Sequence, residues 1–326
     1  MVAASLEAAT MKNVPARIAA LVVLLAAPLA RAQMGDPTKV TLKTTPVTGN
    51  ITVVEGANGF SGGNVAVSVG DDGVLVVDDA LEPISAKLRT AVAGLSKKPV
   101  RFVINTHVHG DHTGGNAMLG GAGAVIVAHY NVRKRLSGEQ FMEFMSIKKT
   151  IPPAPAAALP VVTFNDDLTF FFNGDEIHIV HVAPAHTDGD AIIHFKKANV
   201  LHMGDTFCAG YPIVDKSSGG SYEGFLAAAE KGLAIADDAT KIIPGHGPVM
   251  TKADLVAWRD MLVKVRERVA SLAAQKKSLD EIKAAKVTAE FDAKHTGMVP
   301  PDMLVETVYK ELPPAPMSTK GAKHKK

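Results

Sequence analysis

Cysteine is nearly absent. Cys208 is the single one in 326 residues, so no intramolecular disulfide can form, and the fold must hold by its core and by whatever it binds. Charge of one sign is scarce too. The 35 Lys and Arg against 33 Asp and Glu leave a formal net charge of +2, and part of the basic excess lies in Lys320, Lys323, Lys325 and Lys326. That balance provides no basic groove to follow a phosphate backbone and argues against a nucleic-acid partner. An apolar run of membrane-spanning length is missing as well. The segment Ile18 to Ala30 is shorter than the ~20 residues a spanning helix needs and is interrupted by Pro28, so no stable membrane anchor is expected.

What is present is enough apolar material, 47% of the chain with 21% charged residues, for one sizeable globular domain. The first 32 residues are set apart from it. Lys12 and Arg17, the apolar run and Ala30-Arg31-Ala32 follow the three-part pattern of a secretory signal peptide, with Met11 as its start and cleavage after Ala32. A periplasmic or secreted protein is the expectation, with a single domain over 33–312. After the Pro-rich stretch Leu312 to Pro316, residues 313–326 are expected to form a disordered basic tail.

Within the domain, Ile51-Val54, Asn64-Val69 and Gly73-Asp78 are short apolar or alternating runs between Gly and Asp-Gly turns, which predicts a meander of strands. Pro83 to Leu95 carries helical spacing and leads into a strand at Val100-Ile104; Ala124-Ala128 reads as a further strand and Tyr130 to Ile147 as helical. Beyond a proline-rich linker at 152–160 the layout recurs. Leu168-Phe172, Glu176-Val182, Ala191-Phe195, Val200-Met203 and Lys241-Ile243 are strand-like, while Tyr222 to Ala236 and Thr251 to Lys276 are helical. No repeat exists residue by residue, but two halves of this kind predict an α/β fold of two face-to-face sheets with helices outside.

The chemistry is concentrated in Thr106-His-Val-His-Gly-Asp-His112, directly after the strand at Val100-Ile104. His107 and His109 stand two apart, so in an extended stretch both project to one side and can grip one ion. Asp111 and His112 follow across Gly110, where the chain can turn, and can serve a second ion from another direction. His186, Asp205 and His246 recur in the same setting, each beside a glycine or turn after a later strand. Imidazoles and carboxylates in this mixture suit zinc, with iron and manganese as competitors. By contrast His178, His181, His194 and His202 are expected to be structural, and His129, His295 and His324 match no motif.

The ordered set of His-x-His-x-Asp-His, an isolated histidine, Gly-Asp-Thr and Gly-His-Gly resembles the metallo-β-lactamase superfamily over most of residues 45–260. The resemblance implies an αββα sandwich of two mixed sheets. It implies His107, His109 and His186 on one metal, Asp111, His112 and His246 on the other, and Asp205 bridging two Zn2+. Metals held about 3.5–4 Å apart lower the pKa of water between them and make it a nucleophile without serine or cysteine. The expected activity is therefore binuclear zinc hydrolysis of an ester, lactone, thioester or amide bond in a small substrate that is anionic or carries a carbonyl, with Asp111 orienting the water. Thr106, Thr187, Asp188 and Asp190 are candidates to hold the imidazoles from behind.

The departures from the family narrow the choice. β-Lactamases of this superfamily usually carry Gly-Gly-Cys with a Lys three places later; here Gly204-Asp205 stands there, followed by Cys208. His112 together with Asp205 looks more like the glyoxalase II, phosphodiesterase and lactonase members, so β-lactam cleavage is expected to be weak and promiscuous. An iron-dependent dioxygenase of the same fold and a phosphodiesterase are the alternatives. The glycine-rich segment Gly56 to Gly63 is expected to form a mobile flap over the site.

Overall fold

The computed structural model describes residues 36–144, 147–295 and 297–313; the signal-peptide and tail expectations lie outside them. Fifteen strands and nine α-helices are found among these residues. The first sheet is built from β1 (Leu42–Thr48), β2 (Ile51–Gly56), β3 (Val65–Gly70), β4 (Gly73–Val77), β5 (Val100–Ile104), β6 (Val125–His129) and, after the separate hairpin β7 (Gln140–Phe144) and β8 (Ile147–Ile151), β9 (Val162–Phe164), in the order β1-β2-β3-β4-β5-β6-β9. The second runs β10 (Asp167–Phe172), β11 (Asp175–His181), β12 (Ala191–Phe195), β13 (Val200–Cys208), β14 (Lys241–His246) and β15 (Met250–Thr251) side by side. Both sheets are mixed. Pairing is parallel along β4-β5-β6-β9 and between β13 and β14, and antiparallel elsewhere within the two sheets.

Parallel neighbours require a crossover, and helices supply it. Helix α1 (Ser85–Leu95) connects β4 to β5; α2 (Gly110–Thr113) and α3 (Asn116–Gly121) lie between β5 and β6, and α4 (Tyr130–Leu136) follows β6. Helix α5 (Tyr222–Ile235) connects β13 to β14, and α6 (Lys252–Ala274), α7 (Leu279–Ala284), α8 (Ala289–Asp292) and α9 (Pro301–Glu311) complete the chain. Three apolar clusters fill the layers. Leu75, Val77 and Ile104 meet Ile177, Ile193 and Phe195 between the sheets; Ile84, Leu88 and Val92 pack α1 on the outer face of the first sheet; Phe225, Trp258, Leu262 and Leu304 pack helices on the second. This is the αββα sandwich. Among the described residues no helix is long and apolar enough to cross a membrane.

Most of the expected elements appear within a residue or two, and the exceptions have local causes. The helix expected over Tyr130 to Ile147 ends at Leu136, because Gly138 breaks it and the following residues zip into the hairpin with Phe141 opposite Thr150 and Met142 opposite Lys149. Strands β13 and β14 run further than their apolar cores, so Asp205 and His246 stand inside the last part of the strands rather than beyond them. Register shifts on either side of Gly204, whose φ is +52°, mark the irregularity that turns Asp205 into the hollow. The glycine-rich segment is not free along its length. Gly63 N–H donates to the Asp111 carbonyl at 2.9 Å, and Leu81 N–H to the Ser61 carbonyl at 3.0 Å, so its second half is a fixed wall.

Helix α6 joins the outer layer to the site. Thr251 and Asp254 form a reciprocal capping box at its start, and Leu255, Trp258, Leu262, Val265 and Val269 recur along one buried face. Trp258 Nε1–H donates to the Gly210 carbonyl at 3.0 Å, fastening the loop that leaves β13. Replacing this lone tryptophan with alanine should cost about 3–5 kcal/mol of unfolding free energy. Trp258→Phe should cost about 1–3 kcal/mol through the lost indole hydrogen bond and the volume it leaves. Denaturant titration followed by circular dichroism measures both, and equal stability of the phenylalanine variant and the parent would show that the indole N–H contributes nothing.

Candidate metal centre

The carboxyl ends of the parallel strands from both sheets converge on one hollow, the place where open α/β sheets bind ligands. Strand β4 stops at Val77, paired with Ile104 at the end of β5, so Asp78 falls beside Thr106. Asp78 N–H donates to the Ile104 carbonyl at 2.8 Å. Its carboxylate then accepts from Thr106 N–H at 2.7 Å, from the Thr106 hydroxyl at 2.8 Å and from His112 Nδ1 at 2.7 Å. Because the Thr106 hydroxyl gives its proton to Asp78, it is left to accept from His107 Nδ1, 3.0 Å away. One buried carboxylate thereby orients two imidazoles.

The structure gathers all seven sequence-identified residues around this hollow. His107, His109 and His186 form one group, Asp111, His112 and His246 a second, and His107, His112 and Asp205 a third between them; within each, one ligand-type atom per residue lies within 4.8 Å of the others. His109 Nε2 donates to Asp215 Oδ2 at 2.8 Å, and His186 Nδ1 to the Ile213 carbonyl at 2.6 Å. Their other nitrogens, His109 Nδ1 and His186 Nε2, therefore face each other at 2.7 Å with lone pairs directed inwards. Asp205 faces both sides, with Oδ1 3.1 Å from His112 Nε2 and 3.4 Å from His246 Nε2, and Oδ2 3.4 Å from His186 Nε2. Asp111 Oδ2 lies 3.3 Å from His246 Nε2 and 3.5 Å from His112 Nε2.

This donor set fits a metal. His107 Nε2 and Asp205 Oδ1 are fully buried and make no aligned hydrogen bond, which is costly unless a cation uses their lone pairs. Burial, with His112 and His186 nearby, holds the His107 pKa well below its ordinary value. Burial and His109 bring His186 down to about 4, so both imidazoles are neutral. In the second group burial opposes charge on His246, yet Asp205 and the hydrogen bonds with Asp111 and Asp205 push it up to about 10. His112 is raised in the same way by Asp205, Asp111 and Asp78. The carboxyls of Asp111 and Asp205, despite burial that works against ionisation, are held well below the usual range by the histidines around them. Anionic carboxylates and imidazoles of high proton affinity face one point, which a divalent cation can occupy in place of protons.

Of the four residues expected to support the imidazoles, Thr106 does so as described, and Asp190 does so through the backbone, accepting from His186 N–H at 2.7 Å and Thr187 N–H at 2.9 Å. Thr187 closes that turn with its hydroxyl on Asp190, while Asp188 pairs with Arg135. Sequence reasoning missed Asp78, Asp215 and the Ile213 carbonyl. The pair Asp78-Asp79 at the end of the wholly apolar Val74–Val77 was a readable signal; the loop around Asp215 carried none. Gly63 was readable only in retrospect, since a Cβ there would come within 2.1 Å of the His112 ring.

Several other residues have structural work. His202 Nε2 bonds the Asn64 carbonyl at 3.1 Å. His181 bonds the Asp190 carbonyl at 2.8 Å and stacks on His129 at 3.9 Å. The Cys208 thiol turns to the carbonyls of Gly210 and Tyr211, and burial pushes its pKa up to about 12, so it remains a thiol.

Asp78→Asn, which keeps the size but not the charge, should weaken zinc binding by about 10–100-fold while leaving the secondary structure intact. Competition with a chromophoric chelator measures it, and parental affinity would show that packing against Gly63 alone orients His112.

Comparison with known proteins identifies the family and the fold. The family model described as the metallo-beta-lactamase superfamily matches residues 58–246. A hydroxyacylglutathione hydrolase of Nitrosococcus oceani is 25% identical over 228 residues, 69% of this chain and 75% of that protein. The alpha subunit of the 2,4-dinitroanisole O-demethylase of a Nocardioides strain is 29% identical over 143 residues, 43% of this chain and 40% of the subunit. Among solved structures, the stereoselective inverting sec-alkylsulfatase of a Pseudomonas species superposes with a TM-score of 0.60 at 15% identity, covering 83% of this chain and 50% of its own. A metallo-beta-lactamase from Pontibacter korlensis superposes with a TM-score of 0.54 at 18% identity, covering 68% and 99%. The chain thus spans less than half of the demethylase subunit and half of the alkylsulfatase, and the structural likenesses concern the fold. The chain belongs to the metallo-beta-lactamase superfamily.

Proposed function

We propose that the protein is a binuclear zinc hydrolase that cleaves an ester, lactone or thioester bond of a small substrate, with weak cleavage of the strained β-lactam amide. The observation that carries this reading is Asp205, whose two oxygens face the two groups of ligand-type atoms on either side of it. In this reading His107, His109 and His186 would hold one ion and Asp111, His112 and His246 the other, with Asp205 within reach of each group. Bound zinc supplies Lewis acidity and lowers the pKa of water at the centre.

The protein's own residues define where the substrate enters. His107, His112, His186 and Asp205 are buried, whereas the side chains of His109, Asp111 and His246 retain 20–30% of their exposure. The open face of the centre is therefore the side of these three. Asp111, on that face, is placed to accept a hydrogen bond from the attacking water and hold its lone pair towards the scissile carbon. Phe60 stacks on His246 at 5.6 Å and gives the mouth an apolar edge. Two dications against the carboxylates of Asp111 and Asp205 leave the hollow positive, which favours a substrate that is anionic or becomes so in the transition state.

Support for a thioester or ester over a β-lactam comes from the ligand set. Asp205 stands where the dedicated β-lactamases carry cysteine, and Cys208, three places on, supplies neither a thiolate nor the lysine that would receive a drug carboxylate. The similarity to a hydroxyacylglutathione hydrolase over most of that protein's length points the same way.

The test is metal analysis of the purified protein together with kcat/KM for a glutathione thioester, an acyl lactone, a β-lactam and a phosphodiester. Two zinc ions and a thioester or lactone preferred over the β-lactam are expected. One iron with oxygen consumption would overturn the reading in favour of a dioxygenase, and a dominant phosphodiester would assign the alternative hydrolase. Asp111→Ala should lower kcat/KM by at least about 100-fold and reduce the metal content from two to one; full metal content with normal turnover would refute its role.

A further inference from the structure

Arg135, near the end of α4, lies far in sequence from every residue of the centre, yet its guanidinium joins the segments that aim two of them. Nε and Nη2 donate to the two oxygens of Asp188 at 2.7 Å each, and Nη1 reaches Gln140 Oε1 at 3.2 Å and the Ser217 carbonyl at 3.5 Å. Asp188 is two residues from His186, and its N–H donates to the Ser218 carbonyl at 2.8 Å. Gln140 begins the hairpin β7-β8, which belongs to neither main sheet. Ser217 lies in the loop whose Ile213 carbonyl and Asp215 carboxylate orient His186 and His109.

A second link runs in parallel. Glu143 N–H, on the hairpin, donates to Ser217 Oγ at 3.2 Å, and the Ser217 hydroxyl donates to Asp215 Oδ1. Asp215 Oδ2 then holds His109. The hairpin, the guanidinium and the His109 imidazole are thus joined by hydrogen bonds throughout.

We propose that Arg135 is a positioning residue for the first metal group, fixing the Asp188 and Asp215 loops against each other so that His109 and His186 keep their inward lone pairs aligned, with Ser217 transmitting the position of the β7-β8 hairpin to His109. The proposal rests on the metal-centre reading. The Arg135 and Asp188 side chains retain only 19% and 27% exposure, and a bidentate pair so placed contributes to stability as well as to position, so the two roles are separated by reading metal affinity against the melting temperature of the metal-free protein. A bidentate fork does fix an angle between two loops, which a lysine ammonium cannot.

Zinc titration of the wild-type protein, Arg135→Ala, Arg135→Lys and Ser217→Ala tests this, with the visible spectrum of the cobalt-substituted protein and the melting temperature of the metal-free protein read alongside. Arg135→Ala should weaken one of two uptake steps by about 10–100-fold, change the cobalt spectrum and lower kcat more than it raises KM, with the metal-free melting temperature nearly unchanged. Arg135→Lys should recover part of the loss. Ser217→Ala, a smaller change that severs only the link to Asp215, should weaken the same step less. A parental affinity and spectrum in Arg135→Ala would overturn the inference, as would a fall in metal-free melting temperature with Ser217→Ala unaffected. A wild-type protein that takes up no divalent cation would overturn the metal-centre reading itself; two ions bound equally by wild type and Arg135→Ala would overturn this inference alone.

Discussion

The Asp78 carboxylate is the constraint on which the centre depends. It is buried at the end of an apolar strand, where an anion is tolerated only with a full set of donors, and Thr106 N–H, the Thr106 hydroxyl and His112 Nδ1 supply that set. Because β4 and β5 pair in parallel, the residue after one strand meets the residues after the next without any loop having to search for it. The same bond that satisfies Asp78 sets the tautomer of His112, and through Thr106 that of His107. A requirement of the core thus becomes the orientation of one side chain in each metal group.

The other imidazoles are held by a second device. His109 and His186 are steered by Asp215 and the Ile213 carbonyl, both in the loop that leaves β13. That loop is fastened to the outer helices by Trp258 on Gly210 and by Tyr211, whose hydroxyl reaches Asp292 at 2.7 Å. The first sheet therefore orients His107 and His112 from below, while the helical layer on the second sheet orients His109 and His186 from the side. Asn64 joins the two sheets, its amide donating to the carbonyls of Pro244 at 2.9 Å and Gly247 at 2.8 Å on either side of His246. The amide of Asn64 and the hydroxyl of Tyr211 are committed to these bonds.

The sequence made the layered fold legible because strand and helix periods were clear and the crossover helices lay where parallel pairing needs them. The seven histidine and aspartate residues were legible because each is followed or preceded by a glycine or turn at the end of an apolar run, a local pattern. What lay hidden was long-range. Asp215 contacts His109 across 106 positions, and no feature of Val214-Asp215-Lys216 marks it; Arg135 stands beside Arg133 and Lys134 with nothing local to distinguish it. The hairpin after α4 was misread because a short apolar stretch without strict alternation fits either period, and Gly138 decides between them only once tertiary contacts are known. Asp205 and His246 were found but set outside their strands, since an irregular ladder leaves no trace in hydrophobic periodicity.

The geometry of the centre is imposed from outside it. His109 Nδ1 and His186 Nε2 lie 2.7 Å apart with both outer nitrogens bonded elsewhere, an arrangement that requires either a proton or a cation between the two rings. His107 Nε2 and Asp205 Oδ1 remain buried without aligned donors. The outer hydrogen bonds and the walls at Gly63 and Thr106 set the orientation of these rings. The cost of assembling the ligands is therefore met in folding, by strand pairing and apolar burial at a distance from the hollow. The donors that a cation would use are thus turned inwards by bonds made outside the hollow. The side chains of His109, Asp111 and His246 alone among the seven keep appreciable contact with water, so any group that reaches the centre approaches from their side.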